Sequence, residues 1–154
     1  MGKIKSIKKP GKKWIVISAV TLALTVVLAG VLFTGKGQTV EFKVLSEKEY
    51  PQEITSEVIP EYRDLERALA CVVDKKVYVI VTRGEKPASG YKVDIDKMKL
   101  EEGDGKSVLV VYATFRDPAK NDSMSEVLTY PIKVAETQLK KLPDEIELRV
   151  QHEE

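Results

Sequence analysis

Hydrophobic positions follow two unlike patterns along this chain. From Trp14 to Phe33, WIVISAVTLALTVVLAGVLF, no residue is charged and only Ser18, Thr21 and Thr25 are polar. In a helix, ~20 such residues span the ~30 Å apolar layer of a bilayer, with the hydroxyls bonding back to the backbone. The run predicts a single transmembrane helix over 14–33. Beyond it the apolar runs shorten and alternate. Val40, Phe42 and Val44 alternate with Glu41 and Lys43, the mark of a half-buried strand, and 46–51 reads as a charged loop. EYRDLERALACVV then places Tyr62, Leu65, Leu69 and Val72 at helical spacing, with Pro60 suited to a first turn. This predicts an amphipathic helix packed on a sheet, with Asp74-Lys75-Lys76 as the turn out of it.

Val77 to Thr82 is apolar on both faces and predicts an interior strand. Tyr91, Val93 and Ile95 alternate with Lys92, Asp94 and Asp96, a one-sided strand that Met98 and Leu100 extend. Asp104-Gly105 is the tip of a hairpin, and Ser107 to Phe115 is a second interior strand ended by Asp117-Pro118. A polar loop covers 119–126. Val127 to Ala135 reads as a strand interrupted by Pro131, which argues for an edge or a bulge. Ile146 to Val150 is a final strand, with His152 in a charged tail. The fold class is therefore mainly β or α+β. A mostly antiparallel sheet or sandwich carries one packed amphipathic helix and follows a single transmembrane helix. The segments are 1–13, 14–33, a short linker at 34–39, a domain at 40–150 and a tail at 151–154.

Charge adds a direction. Six of the 25 basic residues lie in 1–13, where there is no acid, so the other 19 face 24 acidic residues, a net of −5. An acidic domain lacks the basic face that phosphate binding needs, which argues against nucleic acid as a partner. Lysines before an apolar run hold that end in the cytoplasm. The expected location is therefore the cell membrane, single-pass, with the N-terminus cytoplasmic and the C-terminal domain extracytoplasmic. A cleaved signal peptide is the competing reading, but this run is longer than its usual core and no A-x-A pattern ends it.

Candidate chemistry is sparse. Cys71 and His152 are the sole residues of their types, so a Cys/His pair would need the tail folded back onto the body. No His/Cys cluster has zinc-ligand spacing, and Asp94 with Asp96 reads as the wet side of a strand as readily as a cation pair. No catalytic residue, metal site or cofactor is expected, and the reading is a binding module and not an enzyme.

The stretch VYVIVTRGEKPASGYKVDI follows the pattern G-x-K-P-T-G-G-Y-x-V-x-I after an apolar strand. Gly84, Lys86, Pro87, Gly90, Tyr91, Val93 and Ile95 match, while Ala88 stands for Thr and Ser89 for Gly. With Asp117-Pro118 and Tyr130-Pro131 downstream, the chain from about Val40 to Val134 resembles the PrcB C-terminal domain family, named for an accessory subunit of a bacterial surface protease complex. The resemblance implies a protein partner, with an envelope protease as the candidate. The loop is also similar to the N-P-T-T-G-Y loop of chagasin-like protease inhibitors. The candidate partner-binding loop is then Arg83, Gly84, Lys86, Pro87, Ser89, Gly90 and Tyr91. Gly90 and Tyr91 read first as scaffold, whereas Arg83, Lys86 and Ser89 fit recognition and loop shape equally. The expected function is a membrane-anchored extracytoplasmic protein-binding module, an accessory or regulatory subunit of an envelope protease. The alternative is a structural or sensory envelope protein with a partner that is not a protease.

Overall fold

The computed structural model describes residues 16–18, 37–120 and 122–153. Within them the protein is mostly β, with antiparallel pairing dominant and one short helical run. Strands are β1 (Val16–Ser18), β2 (Gln38–Thr39), β3 (Phe42–Val44), β4 (Glu66–Val73), β5 (Lys76–Arg83), β6 (Lys92–Gly103), β7 (Lys106–Arg116), β8 (Ile132–Thr137) and β9 (Glu145–Glu153). They form a five-stranded sheet ordered β1-β4-β5-β8-β3 and a four-stranded sheet ordered β2-β6-β7-β9. All pairs are antiparallel except β7–β9.

Strand alternation explains the layers. In β5, Val77, Val79 and Val81 point into a core between the sheets, where they meet Val93, Met98 and Phe115. Tyr78 and Ile80 point the other way, into a second core under the helical run, with Ile54, Val58, Leu69 and Cys71. β5 is thus buried on both faces, as its continuous apolar run predicts. In β6 the pairing register shifts between Ile95 and Lys97. That bulge moves the inward positions from odd to even numbers and brings Ile95 and Met98 to one core.

The helix expected from Pro60 to Val73 is corrected. The helical run covers 52–62, with a π turn at Ile54–Val58 and an α turn, α1, at Ile59–Tyr62. Pro60 therefore lies near the end of the run and not at its start. Pro60 has no N–H to give Ser56, and the Ile59 amide instead bonds the Ile54 carbonyl five residues back. Glu66–Val73 is a strand paired over its whole length with β5. Ala, Leu, Arg and Glu favour helix locally, but pairing beside β5 and burial of both faces override that preference. The exit turn is a two-residue hairpin in which Asp74 and Lys75 both have positive φ, 47° and 66°.

Other expectations shift by shorter distances. Within 46–51, Glu47–Glu49 forms a 3-10 turn closed by a capping box between Ser46 and Glu49. Pro131 precedes β8, which lies inside the sheet between β5 and β3 and is not an edge. Gln38–Thr39 of the expected linker pairs with β6, and β9 runs through the expected tail to Glu153. The 14–33 run lies outside the described residues except Val16–Ser18, which pairs with Ala70, Cys71 and Val72. Among the described residues no helix is long and apolar enough to cross a membrane.

Candidate functional site

The motif loop joins the end of β5 to the start of β6, and its base is built around Arg83. This side chain, at the end of the apolar strand β5, is only 4% exposed. Its guanidinium pairs with the Asp117 carboxylate, donates 2.6 Å to the Arg116 carbonyl and lies 5.1 Å from both the Tyr91 and Phe115 ring centres. Its backbone N–H donates to the Pro131 carbonyl at 3.0 Å. A cation held between ring faces in a dry site is attracted to both, so Arg83 ties β5, β6, β7 and the start of β8 together.

Gly90 and Pro118 form the next contact. Gly90 has φ +95°, and a Cβ placed there would lie 2.8 Å from the Pro118 Cβ. The motif's Gly-Tyr and the distant Asp-Pro thus belong to one unit. Gly84 has φ +77° and a Cβ there would approach the Asp64 carbonyl to 3.2 Å. Tyr130 donates to Glu85 at 2.9 Å, and the Arg63 guanidinium sits 4.4 Å above the Tyr130 ring. Donation to the Glu85 carboxylate raises the Tyr130 pKa above the ordinary phenol value.

Above this base the loop is zipped to the 119–131 connection. Lys86 and Thr129 exchange backbone hydrogen bonds of 2.8 and 2.9 Å. Ser89 donates its N–H to the Ser125 carbonyl, and its hydroxyl accepts from the Ser125 N–H at 2.9 Å. Thr129 Oγ1 donates to the Ala88 carbonyl at 2.8 Å. Two loops that look separate in sequence are one two-stranded ribbon.

The ribbon's outer side is exposed. Residues 122–128 are all exposed, among them Met124 at 47%, Val127 at 59% and Leu128 at 57%. Pro87 is also exposed, while Lys86, Ser89 and Tyr91 are half-buried. Beside the ribbon, between the starts of β6 and β8, lies a cleft of about 560 Å³ lined by Tyr50, Ile59, Tyr91, Asp94, Tyr130 and Lys133 among others. Of the seven loop residues named from sequence, Arg83, Gly84, Gly90 and Tyr91 belong to the base, and Lys86, Pro87 and Ser89 to the rim. Sequence reading missed Asp117 as the partner of Arg83, because the two are far apart in the chain. It also missed Met124, Val127 and Leu128, whose apolar character is diluted by Ser123, Ser125 and Glu126.

Groups suited to catalysis do not converge here. Burial pushes the Cys71 thiol up to about 12, so it is protonated and inert at neutral pH. His152 meets the edge of Phe115 at 5.8 Å on the partner strand. Asp94 pairs with Arg116 at 3.2 Å, and Asp96 accepts from Thr114 Oγ1 at 2.7 Å. Among the described residues no group of three or more His, Cys, Asp or Glu is placed to hold a metal ion.

No curated protein and no solved structure matches the chain. The family model described as PrcB C-terminal matches residues 77–138, from β5 through the ribbon to the end of β8, which identifies this segment as PrcB C-terminal-like.

Proposed function

We propose that the chain is a membrane-anchored, extracytoplasmic protein-binding module that serves as an accessory or regulatory subunit of a cell-envelope protease. The observation that carries this reading is the ribbon of 86–89 and 125–129, rigid at its base and apolar at its rim, inside the PrcB C-terminal match. Recognition surfaces are commonly loops held by a stiff scaffold, and exposed Met, Val and Leu on a polar-flanked loop suit a protein partner. Position supports it too. The domain begins at Gln38, which pairs with Leu100, whereas the ribbon adjoins Lys92 at the other end of β6. Eight residues of strand separate the two by roughly 26 Å. With residues 14–33 in the bilayer, the ribbon would face away from the membrane, toward an envelope partner.

Pull-down from detergent-solubilised membranes tests the reading. The double variants Lys86→Ala/Ser89→Ala and Met124→Asp/Leu128→Asp should melt like the parent and lose the partner. Retention of the partner by both would place recognition elsewhere. A partner without protease activity, lost from the same variants, would favour the structural or sensory role. Topology has its own check: protease added to intact cells should digest the C-terminal domain, and full protection would refute the orientation.

A further inference from the structure

The outer edges of the two sheets are guarded unequally. β2 and β3 are two and three residues long. β9 is long but carries Glu145, Glu147, Arg149 and Glu153, charges that discourage pairing with another chain. β4, which lies beneath the three-residue β1 and becomes the outer strand wherever β1 is absent, has neither protection. It is eight residues long, pairs with β5 without a bulge, and after Glu66 and Arg67 runs Ala68 to Val73 with no charge and no proline. Such an edge is a template for a further strand.

The chain itself shows what the edge accepts. Val16–Ser18 lies antiparallel on it, with Val16 opposite Val72, Ile17 opposite Cys71 and Ser18 opposite Ala70. That segment is extended, with two β-branched apolar residues. It is also part of the 14–33 run, and a helix embedded in a bilayer cannot lie along β4 at the same time. We propose that the β4 edge is a strand-acceptor surface: when residues 14–33 occupy the membrane, it takes an extended β-branched apolar segment of a partner protein, antiparallel and centred on Ala70–Val72. The proposal rests on the anchor reading above. Main-chain hydrogen bonds would provide the attachment, and because both faces of β4 are covered, the added strand would be selected for side chains that continue the two cores.

The experiment uses the full chain in lipid nanodiscs, with a labelled soluble peptide carrying residues 14–20 between terminal lysines as the probe. Amide exchange across Ala68–Val73 is followed with and without peptide. The expected result is a saturable rise in anisotropy, with about tenfold slower exchange at alternate β4 amides. A peptide N-methylated at alternate residues should lose binding in one of its two registers. Cys71→Pro and Val72→Pro supply the second arm, because adjacent amides point to opposite sides of a strand. The variant that keeps its melting temperature has lost only the outward N–H and should no longer bind. Freely exchanging outward amides with no peptide binding would overturn this proposal and leave the anchor intact. Protection before peptide is added, independent of protein concentration, would mean Val16–Ser18 stays docked and would overturn anchor and acceptor together. Protection that grows with protein concentration would make a second copy the occupant and overturn the proposal as stated.

Discussion

The two ends of the sandwich are built by different means. At one end, the turns at Asp74-Lys75 and Asp104-Gly105 each reverse the chain within two residues of positive φ. Nothing distant is needed, and space around Gly105 is open within 4 Å. At the other end the same strands are joined by long connections, and order comes from contacts far apart in sequence: Arg83 with Asp117, Gly90 with Pro118, Lys86 with Thr129. Local turns close strands cheaply because the loop entropy is small. A ribbon held by remote contacts costs more to order but presents a shaped rim. The difference teaches where to look for recognition in a small β domain: at the end whose loops are over-determined by tertiary contacts and still leave apolar side chains in water.

The contrast breaks most visibly at the base of the ribbon. Gly90→Val combines a strained backbone with a steric collision at Pro118 and should cost about 4 kcal/mol. Arg83→Met keeps the volume but removes the fork to Asp117 and the Arg116 carbonyl and the cation between two rings, a loss of about 3 kcal/mol. Denaturant unfolding checks both, and a change under 1 kcal/mol in either would mean that the motif end does not depend on its remote contacts. At the opposite end, Gly105→Ala meets no neighbour and carries only the positive-φ cost, about 1 kcal/mol by the same measurement. Lys75→Gly relieves φ 66° at the other tight turn and should stabilise by about 0.5 kcal/mol, because relief of strain slightly exceeds the added freedom of the unfolded chain. Destabilisation there would show that the Lys75 side chain contributes more than its backbone strain costs.

The smallest effect is a pH dependence. Hydrogen bonds from Lys43 and from the backbone and hydroxyl of Ser46 hold the exposed Glu49 carboxyl down at about 2, from an ordinary 4.5. The folded value lies below the unfolded one, so its contribution is complete above pH 4.5 and disappears as pH falls toward 2. Glu49→Gln should lower stability at pH 7, where the carboxylate contributes in full, and flatten the profile between pH 4.5 and 2, so that variant and parent converge at acid pH. An unchanged acid limb would mean that the capping box is not formed in solution.

Much of this was legible in the chain. Period-two alternation gave the one-sided strand at 92–96, two-sided burial gave β5 and β7, and Asp104-Gly105 gave a hairpin tip. These are local consequences of side-chain direction and turn geometry, which any short window carries. The motif residues were legible as a group, but their division into base and rim was not. A buried arginine between two rings and a half-buried lysine three residues later look alike as letters. The RALACVV stretch shows the same limit more sharply. Its residues suit a helix or a strand buried on both faces, and periodicity alone does not separate the two. Pairing with β5 decided for the strand, because only an extended chain could satisfy that backbone and fill two cores at once. Sequence thus determined the alternation, the turns, the apolar run at 14–33 and the family pattern at 84–95. Tertiary structure decided which strand Val16–Ser18 covers, which polar side chains were buried, and that two distant loops form one ribbon, since each depends on pairings between residues whose separation no local pattern encodes.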